Sequence, residues 1–152
     1  LVLFTASGIG LVLAEQASLS GAEGGCQAEC GSASAMAAAA AVELLGGSPA
    51  QAAHACAIAL KNSMGLVCDP VAGLVEVPCV KRNAAGAANA LAAAEMALAG
   101  IGSAIPVDEV IAAMKQVGEQ MPAAHKETAE GGLAVTATGR AIAARLKKEG
   151  VL

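Results

Sequence analysis

The sequence predicts an all-α protein that folds as a single compact domain over residues 1–152. Alanine-rich segments of helical length alternate with short Gly- and Pro-containing interruptions, and no segment shows the strict alternation of a half-buried strand. Only residues 74–77 could form a short strand, and they lie inside a predicted loop. Because Phe4 is the single aromatic residue, we expect a core of closely approaching helices rather than one filled by bulky side chains.

Glycine, proline and capping residues predict the ends of the first three helices. Residues 1–17 form the first helix, and a Gly-rich loop over residues 18–26 follows it. A long Ala-rich helix is expected over residues 27–45, where Gly46 and Gly47 end it. Ser48 as N-cap and Pro49 at the first helical position begin the next helix, which reaches about residue 64.

Two long irregular segments interrupt the second half of the chain. The first lies within residues 61–83, where Pro70, Gly73 and Pro78 break the helical pattern. Helices are then predicted from residue 80 or 81 to 99 and over residues 105–120, before the second irregular segment at residues 121–135. Thr138 is expected to cap a last helix over residues 139–148. Long irregular segments in a compact helical domain are usually functional, so we expect two functional loops.

Composition excludes some classes of function. A net charge of −4 without any basic stripe argues against a nucleic-acid partner. The mean hydropathy of +0.62 raises the alternative of a membrane-embedded helical protein. However, the most apolar windows, residues 33–45 and 84–101, are interrupted by Glu43, Asn89 and Glu95, so buried helices of a cytoplasmic protein are the favoured interpretation. Because the chain begins at Leu1 within an apolar run, we expect that an N-terminal part precedes it.

Five cysteines, an odd number without an export signal, indicate free thiols or metal ligands rather than a disulfide framework. Cys26, Cys68 and Cys79 lie in loops, and two of them directly precede a predicted helix. Helix ends and backbone N–H groups favour the thiolate form at such positions. Cys30 and Cys56 lie within Ala-rich helices and are predicted to be small buried hydrophobic residues.

The spacing of these cysteines leaves two kinds of metal site open. A structural zinc site usually has four ligands in close C-x-x-C pairs, and this chain contains no such pair. Three thiolates could instead hold a 4Fe-4S cluster that leaves one iron open, although cluster ligands far apart in sequence have no fixed pattern. A structural metal-binding helical module without turnover therefore remains an alternative.

Three motifs resemble the signatures of iron–sulfur-dependent L-serine dehydratase, most closely the catalytic alpha chain of the two-subunit bacterial form. They are GAEGGCQAE at residues 21–29, GLVCDPVAGLVEVPCVKRN at residues 65–83 and KETAEGGLA at residues 126–134. The resemblance implies a 4Fe-4S cluster on Cys26, Cys68 and Cys79 and the deamination of L-serine to pyruvate and ammonia. It also implies a beta chain as partner and an oligomer, and it places residues 1–152 in the C-terminal part of the alpha-chain catalytic domain. A lyase acting on another small 2-amino or 2-hydroxy acid stays open.

Such a reaction needs a Lewis acid on the β-hydroxyl group and a base for the α-proton. The base is left open among a residue of the expected N-terminal part and the polar residues of the loops: Lys61, Asp69, Glu76, His125, Lys126 and Glu127. Lys81 and Arg82 stand near a helix start, where cations are mildly unfavourable, so we expect them to bind a carboxylate or to pair with Asp69 or Glu76. The predicted substrate-binding residues are Ser20, Gly24, Lys81, Arg82 and Asn83. His54 is expected to have a packing role.

Overall fold

A computed structural model describes all of residues 1–152 and confirms the all-α prediction. Seven α-helices and four short helical turns make up its regular structure, and it contains no strand. The helices are α1 (Val2–Gln16), α2 (Gly21–Gly24), α3 (Ser32–Leu44), α4 (Pro49–Asn62), α5 (Cys79–Leu98), α6 (Val107–Gln120) and α7 (Ala137–Lys148). One π-helical turn spans Gln27–Gly31, and 3-10 turns span Val71–Gly73, Ala123–His125 and Gly132–Val135.

The hydrophobic core lies between α3, α4 and α5, with α1 and α6 packed against them. It contains 19 buried residues, most of which are alanines. Leu13, Leu60, Ile111 and Met114 are the largest of its fully buried side chains. Short side chains on facing helices allow their backbones to approach closely, as the composition predicted. No helix combines the length and the apolar character that crossing a membrane would require.

The predicted start of α4 is confirmed, whereas the predicted cap of the last helix is wrong. Ser48 and Gln51 form a reciprocal capping box, in which each side chain accepts a hydrogen bond from the other residue's backbone N–H. At α7, Thr136 Oγ1 accepts a hydrogen bond from Gly139 N at 3.1 Å. Thr136 has the extended backbone that an N-cap needs, whereas Thr138 already lies inside the helix.

The first irregular segment forms a closed turn rather than a strand. Residues 74–77 do not form the short strand that their apolar character allowed, because Val71 N donates a 2.9 Å hydrogen bond to Val77 O and folds the segment back on itself. Helix α5 then begins at Cys79, one or two residues earlier than predicted. The segment therefore presents Cys68 before the turn and Cys79 after it.

The long helix predicted over residues 27–45 has two parts. Its first turn, Gln27–Gly31, is π-helical, and the regular α-helix begins only at Ser32. The Gly-rich loop before it contains the short helix α2. Single π-helical turns are rare and frequently occur at functional sites. This one carries Cys30 and directly follows Cys26.

Candidate functional site

Four cysteines from three parts of the chain lie close together at the π-helical turn. Cys26, Cys30 and Cys68 pack together as a buried group apart from the main core. Cys79 at the start of α5 lies close enough for electrostatic interaction with all three. All four are free thiols. We call these four side chains the thiol cluster.

Cys30 belongs to this cluster, which the sequence reasoning missed. Cys26 Sγ donates a hydrogen bond to Cys30 Sγ at 3.2 Å, and Cys30 Sγ donates one to Asn83 Oδ1 at 3.0 Å. The expected burial of Cys30 is correct, but its surroundings are other thiols rather than the Ala-rich core. Its spacing of four residues from Cys26, which puts both on one helix face, was the available signal. Cys56, in contrast, lies in the main core as predicted.

The second irregular segment is joined to the first at Cys68. An isolated parallel bridge pairs Cys68 with Lys126. Cys68 N donates to His125 O, and Glu127 N donates to Cys68 O, both at 2.9 Å. Three of the candidate bases, His125, Lys126 and Glu127, are therefore held beside a member of the thiol cluster. His125 Nδ1 is buried without a hydrogen-bond partner.

Asp69 and Arg82 form an ion pair, one of the pairings that the sequence allowed, in which Asp69 is buried and Arg82 is partly buried. Arg82 Nη1 lies 2.6 Å from Asp69 Oδ1 and also donates to Val67 O at 2.8 Å. The other carboxylate oxygen of Asp69 accepts a hydrogen bond from Leu133 N at 2.7 Å. This network ties both irregular segments to the first turn of α5. Both carboxylate oxygens of Asp69 are thus engaged.

Helix α2 approaches the thiol cluster through a residue without a side chain. A Cβ atom on Gly21 would lie 3.2 Å from Cys68 Sγ and 2.9 Å from Glu29 Oε2. The glycine therefore leaves room beside the sulfur atom. It also shows that the carboxylate of Glu29 stands near the cluster, a residue absent from the predicted site. The signal for Glu29 was its position three residues after Cys26, one helical turn away.

Gln27 fastens the π-helical turn to two neighbouring segments. Its fully buried side chain accepts a hydrogen bond from Gly65 N at 2.8 Å and donates one to Met114 O at 2.9 Å. Its backbone N–H donates to Leu66 O at 3.0 Å. These bonds hold Gly65 and Leu66, which precede Cys68 in the chain, against the turn that follows Cys26.

Burial makes the free thiols harder to ionise, contrary to the expectation from their helix-end positions. Burial raises the pKa of Cys26 and of Cys68 to about 12; the interaction with Cys30 adds to the effect at Cys26, and the Glu127 carboxylate adds to it at Cys68. Burial likewise raises the pKa of Cys30 and Cys79. The Arg82 guanidinium opposes the rise in pKa at Cys26, Cys30 and Cys79. Four thiols that resist ionisation together need additional positive charge to become thiolates.

Other predicted site residues lie at the edge of this arrangement or away from it. Lys61 lines a different cavity, with Ile58 and Met96. Glu76 lies in the exposed turn before Pro78, and Lys81 is exposed without a salt bridge.

Two residues of the Gly-rich loop have mainly structural contacts. Ser20 is the N-cap of α2, and its backbone N–H donates to Ser18 Oγ at 3.0 Å. The Cα of Gly24 packs against Gly118 of α6, where a Cβ atom would lie 3.0 Å from it. Away from the loop, His54 Nδ1 accepts a hydrogen bond from Ser103 N at 3.1 Å, as its predicted packing role requires.

The donor set suits a sulfur-ligated group larger than one ion. No three His, Cys, Asp or Glu side chains are arranged to ligate a single metal ion. The thiol cluster nevertheless supplies cysteines from three segments, a neighbouring cation in Arg82, and the space left by Gly21 beside Cys68. Cysteine thiolates are the usual ligands of iron–sulfur clusters. These residues therefore fit such a cluster.

Comparison with known protein families assigns the chain to one family. Residues 1–134 match the family described as "Serine dehydratase alpha chain". The chain belongs to the serine dehydratase alpha chain family. This matched range includes the whole thiol cluster and the Asp69–Arg82 ion pair.

Individual relatives agree with this assignment to the serine dehydratase alpha chain family. The chain is 69% identical over 138 residues to the probable L-serine dehydratase alpha chain of Bacillus subtilis, covering 91% of this chain and 46% of the relative. It is 62% identical over 140 residues to the probable alpha chain of Latilactobacillus sakei, covering 92% and 67%. It is 57% identical over 146 residues to the alpha chain of Peptoniphilus asaccharolyticus, covering 96% and 50%. The chain thus spans about half to two thirds of the length of these curated relatives.

Proposed function

We propose that this chain is the C-terminal part of the catalytic domain of an L-serine dehydratase alpha chain and takes part in the deamination of L-serine to pyruvate and ammonia. The observation that carries the proposal is the thiol cluster, which lies within the segment shared with the family. Three relatives bear the name L-serine dehydratase alpha chain. That name supports a beta chain as the partner of this chain.

We propose that Cys26, Cys68 and Cys79 hold a 4Fe-4S cluster with one iron left open. Each of the three enters from a different segment, so together they can surround a group that bridges the segments. When bound, the cluster would supply a Lewis acid for the β-hydroxyl group of serine. Cys30 is buried against Cys26 and hydrogen-bonded to Asn83. We therefore propose that Cys30 stabilises the site without being a ligand of the cluster.

Arg82 contributes positive charge beside the ligands. Its guanidinium lowers the pKa of Cys26 and Cys79 against the effect of burial. Asp69 keeps the guanidinium in place, because the ion pair is short and Asp69 is only 3% exposed. We therefore propose that Arg82 stabilises the thiolate forms and that Asp69 is a positioning residue rather than the base.

The best candidates for the base that removes the α-proton lie in the segment 125–127, which is bridged to Cys68. Lys126 and Glu127 stand next to that cysteine, and the Glu127 carboxylate acts electrostatically on both Cys68 and Cys79. Glu29 is a further carboxylate beside the cluster. We propose that the α-proton of serine is taken by one of these groups or by His125, whose Nδ1 has no partner within the chain.

We propose that the substrate binds near the same residues. Asn83 already points its side-chain oxygen towards Cys30. Exposed Lys81 is free of ion pairs and can meet the substrate carboxylate, whereas Arg82 is committed to Asp69. Ser20 is the N-cap directly before Gly21, and Gly24 packs against Gly118 of α6, so we propose that both support the position of Gly21.

Anaerobic reconstitution with iron and sulfide tests the cofactor assignment. The wild-type chain is expected to become brown, with a broad visible absorption band and bound iron and sulfide in equal amounts. Replacing Cys26, Cys68 and Cys79 together by Ser should remove the band, whereas Cys56→Ser should retain it. A band that survives the triple replacement would show that the ligand assignment is wrong.

Turnover is tested separately on a full-length alpha chain with its beta chain. L-Serine should release ammonia and pyruvate, and the triple variant should release neither. Bound metal without ammonia release would support the structural metal-binding module instead. Faster turnover of another small 2-amino or 2-hydroxy acid would support the related lyase.

A further inference from the structure

We propose that Cys26 and Cys30 form a disulfide when the metal-free chain meets a peroxide, and that this bond prevents Cys26 from binding a cluster. The first half of the proposal depends only on the positions of the two thiols. The second half rests on the proposed function, in which Cys26 is a ligand. The pair would act as a reversible modification site within the thiol cluster.

The geometry favours this pair over the others in the cluster. The two sulfur atoms are already in contact at 3.2 Å, and they lie on one turn of the chain. Helical residues four apart have Cβ atoms about 5–6 Å apart, whereas a disulfide brings them to about 3.5–4.5 Å. The turn must therefore tighten by about 1–2 Å. Only this π-helical turn has to change, and the regular helix that begins at Ser32 can stay as it is.

Cys68 and Cys79 are less able to move. The backbone N–H and C=O groups of Cys68 are both hydrogen-bonded to the 125–127 segment. Cys79 is anchored in the first turn of α5, three residues before the paired Arg82. A disulfide from Cys26 to either one would have to move a whole segment. Cys30 requires only the adjustment of its own turn.

A small oxidant can reach Cys30 from the surface. Cys30 is 7% exposed and lines two cavities of about 470 and 270 Å³, whereas Cys26 is 1% exposed and lines neither. Polar side chains, Arg82 and Asn89 in the larger cavity and Ser34 and Asn83 in the smaller one, make both accessible to a polar molecule. We therefore expect Cys30 to react first. Because burial raises the pKa of both thiols, the reaction should be slow compared with that of an exposed thiolate.

The reaction balances with hydrogen peroxide as the oxidant. The Cys30 sulfur attacks one peroxide oxygen, the O–O bond breaks, and sulfenic acid and one water are formed. The Cys26 sulfur then attacks the Cys30 sulfur, the S–S bond forms, and the hydroxyl leaves as a second water. The two thiols together lose two electrons and two protons, and one peroxide becomes two waters. A thiol reductant reverses the change.

Digestion at glutamate residues reveals the disulfide directly, because Glu29 lies between the two cysteines. The metal-free chain is treated with hydrogen peroxide, its remaining thiols are alkylated, and it is cleaved after Glu23, Glu29 and Glu43. Peptides 24–29 and 30–43 should then appear joined in mass spectrometry and separate after reduction. Cys30→Val and Cys30→Ser should abolish the joined pair, whereas Cys56→Ala should keep it.

Other linkages would overturn the first half of the proposal. Peptide 24–29 joined to a peptide that contains Cys68 or Cys79 would show that a different pair forms. Sulfinic acid on Cys30 without any joined pair would show that Cys26 does not resolve the oxidised sulfur. Circular dichroism of each variant confirms that the helices are retained, so that a lost linkage reports the missing thiol.

Iron binding tests the second half of the proposal, that the disulfide prevents Cys26 from binding a cluster. Peroxide treatment before anaerobic reconstitution should lower the iron bound by the wild-type chain by more than half, and a dithiol reductant should restore it. The Cys30→Val chain should bind iron equally with and without treatment. Full iron binding by a chain that carries the joined peptides would overturn the proposed block. Failure of the untreated wild-type chain to bind iron would instead contradict the proposed function, while the joined peptides would still decide the disulfide.

Discussion

Arg82 Nη1 lies 2.6 Å from Asp69 Oδ1, and this ion pair joins the residue after Cys68 to the first turn of the helix that Cys79 begins. Asp69 is 3% exposed and Arg82 is 18% exposed, so water screens the pair weakly. The pair links the backbones that carry two members of the thiol cluster. The pair also offsets the unfavourable interaction of the Arg82 charge with the helix dipole at a helix start.

Replacing Asp69 by Ala should destabilise the chain by about 3 kcal/mol. The change leaves the Arg82 charge without its partner and removes the acceptor for Leu133 N. Breaking a buried ion pair costs about 3–5 kcal/mol, and the partial exposure of Arg82 puts the expected cost at the lower end of this range. Urea unfolding followed by circular dichroism measures the effect. Glu149→Gln provides the control, because its pair with Arg145 is exposed and 3.9 Å long, and such pairs contribute little. Equal effects of the two replacements would contradict a structural role for Asp69.

Replacing Gly21 by Ala should weaken cluster binding about 10-fold, the scale of effects from residues that support metal ligands. The new methyl group would meet Cys68 Sγ at 3.2 Å and the Glu29 carboxylate at 2.9 Å, so both must move. Iron titration of the anaerobic metal-free chain measures the affinity. Gly8→Ala is the matched control, since a Cβ atom there meets nothing within 4 Å. Unchanged iron affinity in the Gly21 variant would show that space beside Cys68 is not needed.

The stability contributed by the Cys56 thiol should fall as the pH rises above 9.0. Burial, and then the Asp108 carboxylate, raise the pKa of Cys56 from 9.0 to about 12. Between these values the unfolded chain has released a proton that the folded chain keeps, so rising pH favours unfolding. The difference in unfolding free energy between the wild type and Cys56→Ala should be constant below pH 9.0. Above it, the advantage of the wild type should shrink by up to about 1.4 kcal/mol per pH unit.

Urea unfolding under reducing conditions, below pH 9.0 and about one unit above it, measures this difference. Comparison with the variant removes the effect of the lysines, which titrate in both proteins. A difference that stays constant over this range would show that Cys56 ionises normally in the folded chain.

Replacing Thr136 by Ala should lower the free energy of unfolding by about 1 kcal/mol, the usual contribution of an N-cap. Thr136 Oγ1 accepts the Gly139 N–H, and its loss leaves that donor to water. Thr138→Ala is the control and should have little effect, because residue 138 is already helical and alanine suits that position. A larger loss at Thr138 than at Thr136 would restore the cap that the sequence predicted.

Several features of the site could be predicted because their signals are local. Cys68 and Cys79 stand at the two ends of a segment that prolines and glycine exclude from helices, and Cys26 follows a glycine pair. Such breaks depend on backbone torsions and are readable over a few residues. Cys30 and Glu29 were missed because an Ala-rich run predicts an ordinary helix there. The π-helical turn that groups them with Cys26 is held by Gln27 through contacts with residues distant in sequence.

The amino-acid sequence by itself determined the all-helical class, the approximate helix ends and the cysteines that the family motifs contain, because propensity, capping and periodicity act within a few neighbouring residues. The tertiary structure decided which of those residues meet. It placed Cys30 against Asn83, 53 residues away, joined Cys68 to Lys126, and paired Asp69 with Arg82. It also reversed the expected direction of the thiol pKa values, since desolvation depends on the atoms that packing brings around each sulfur and not on its neighbours along the chain.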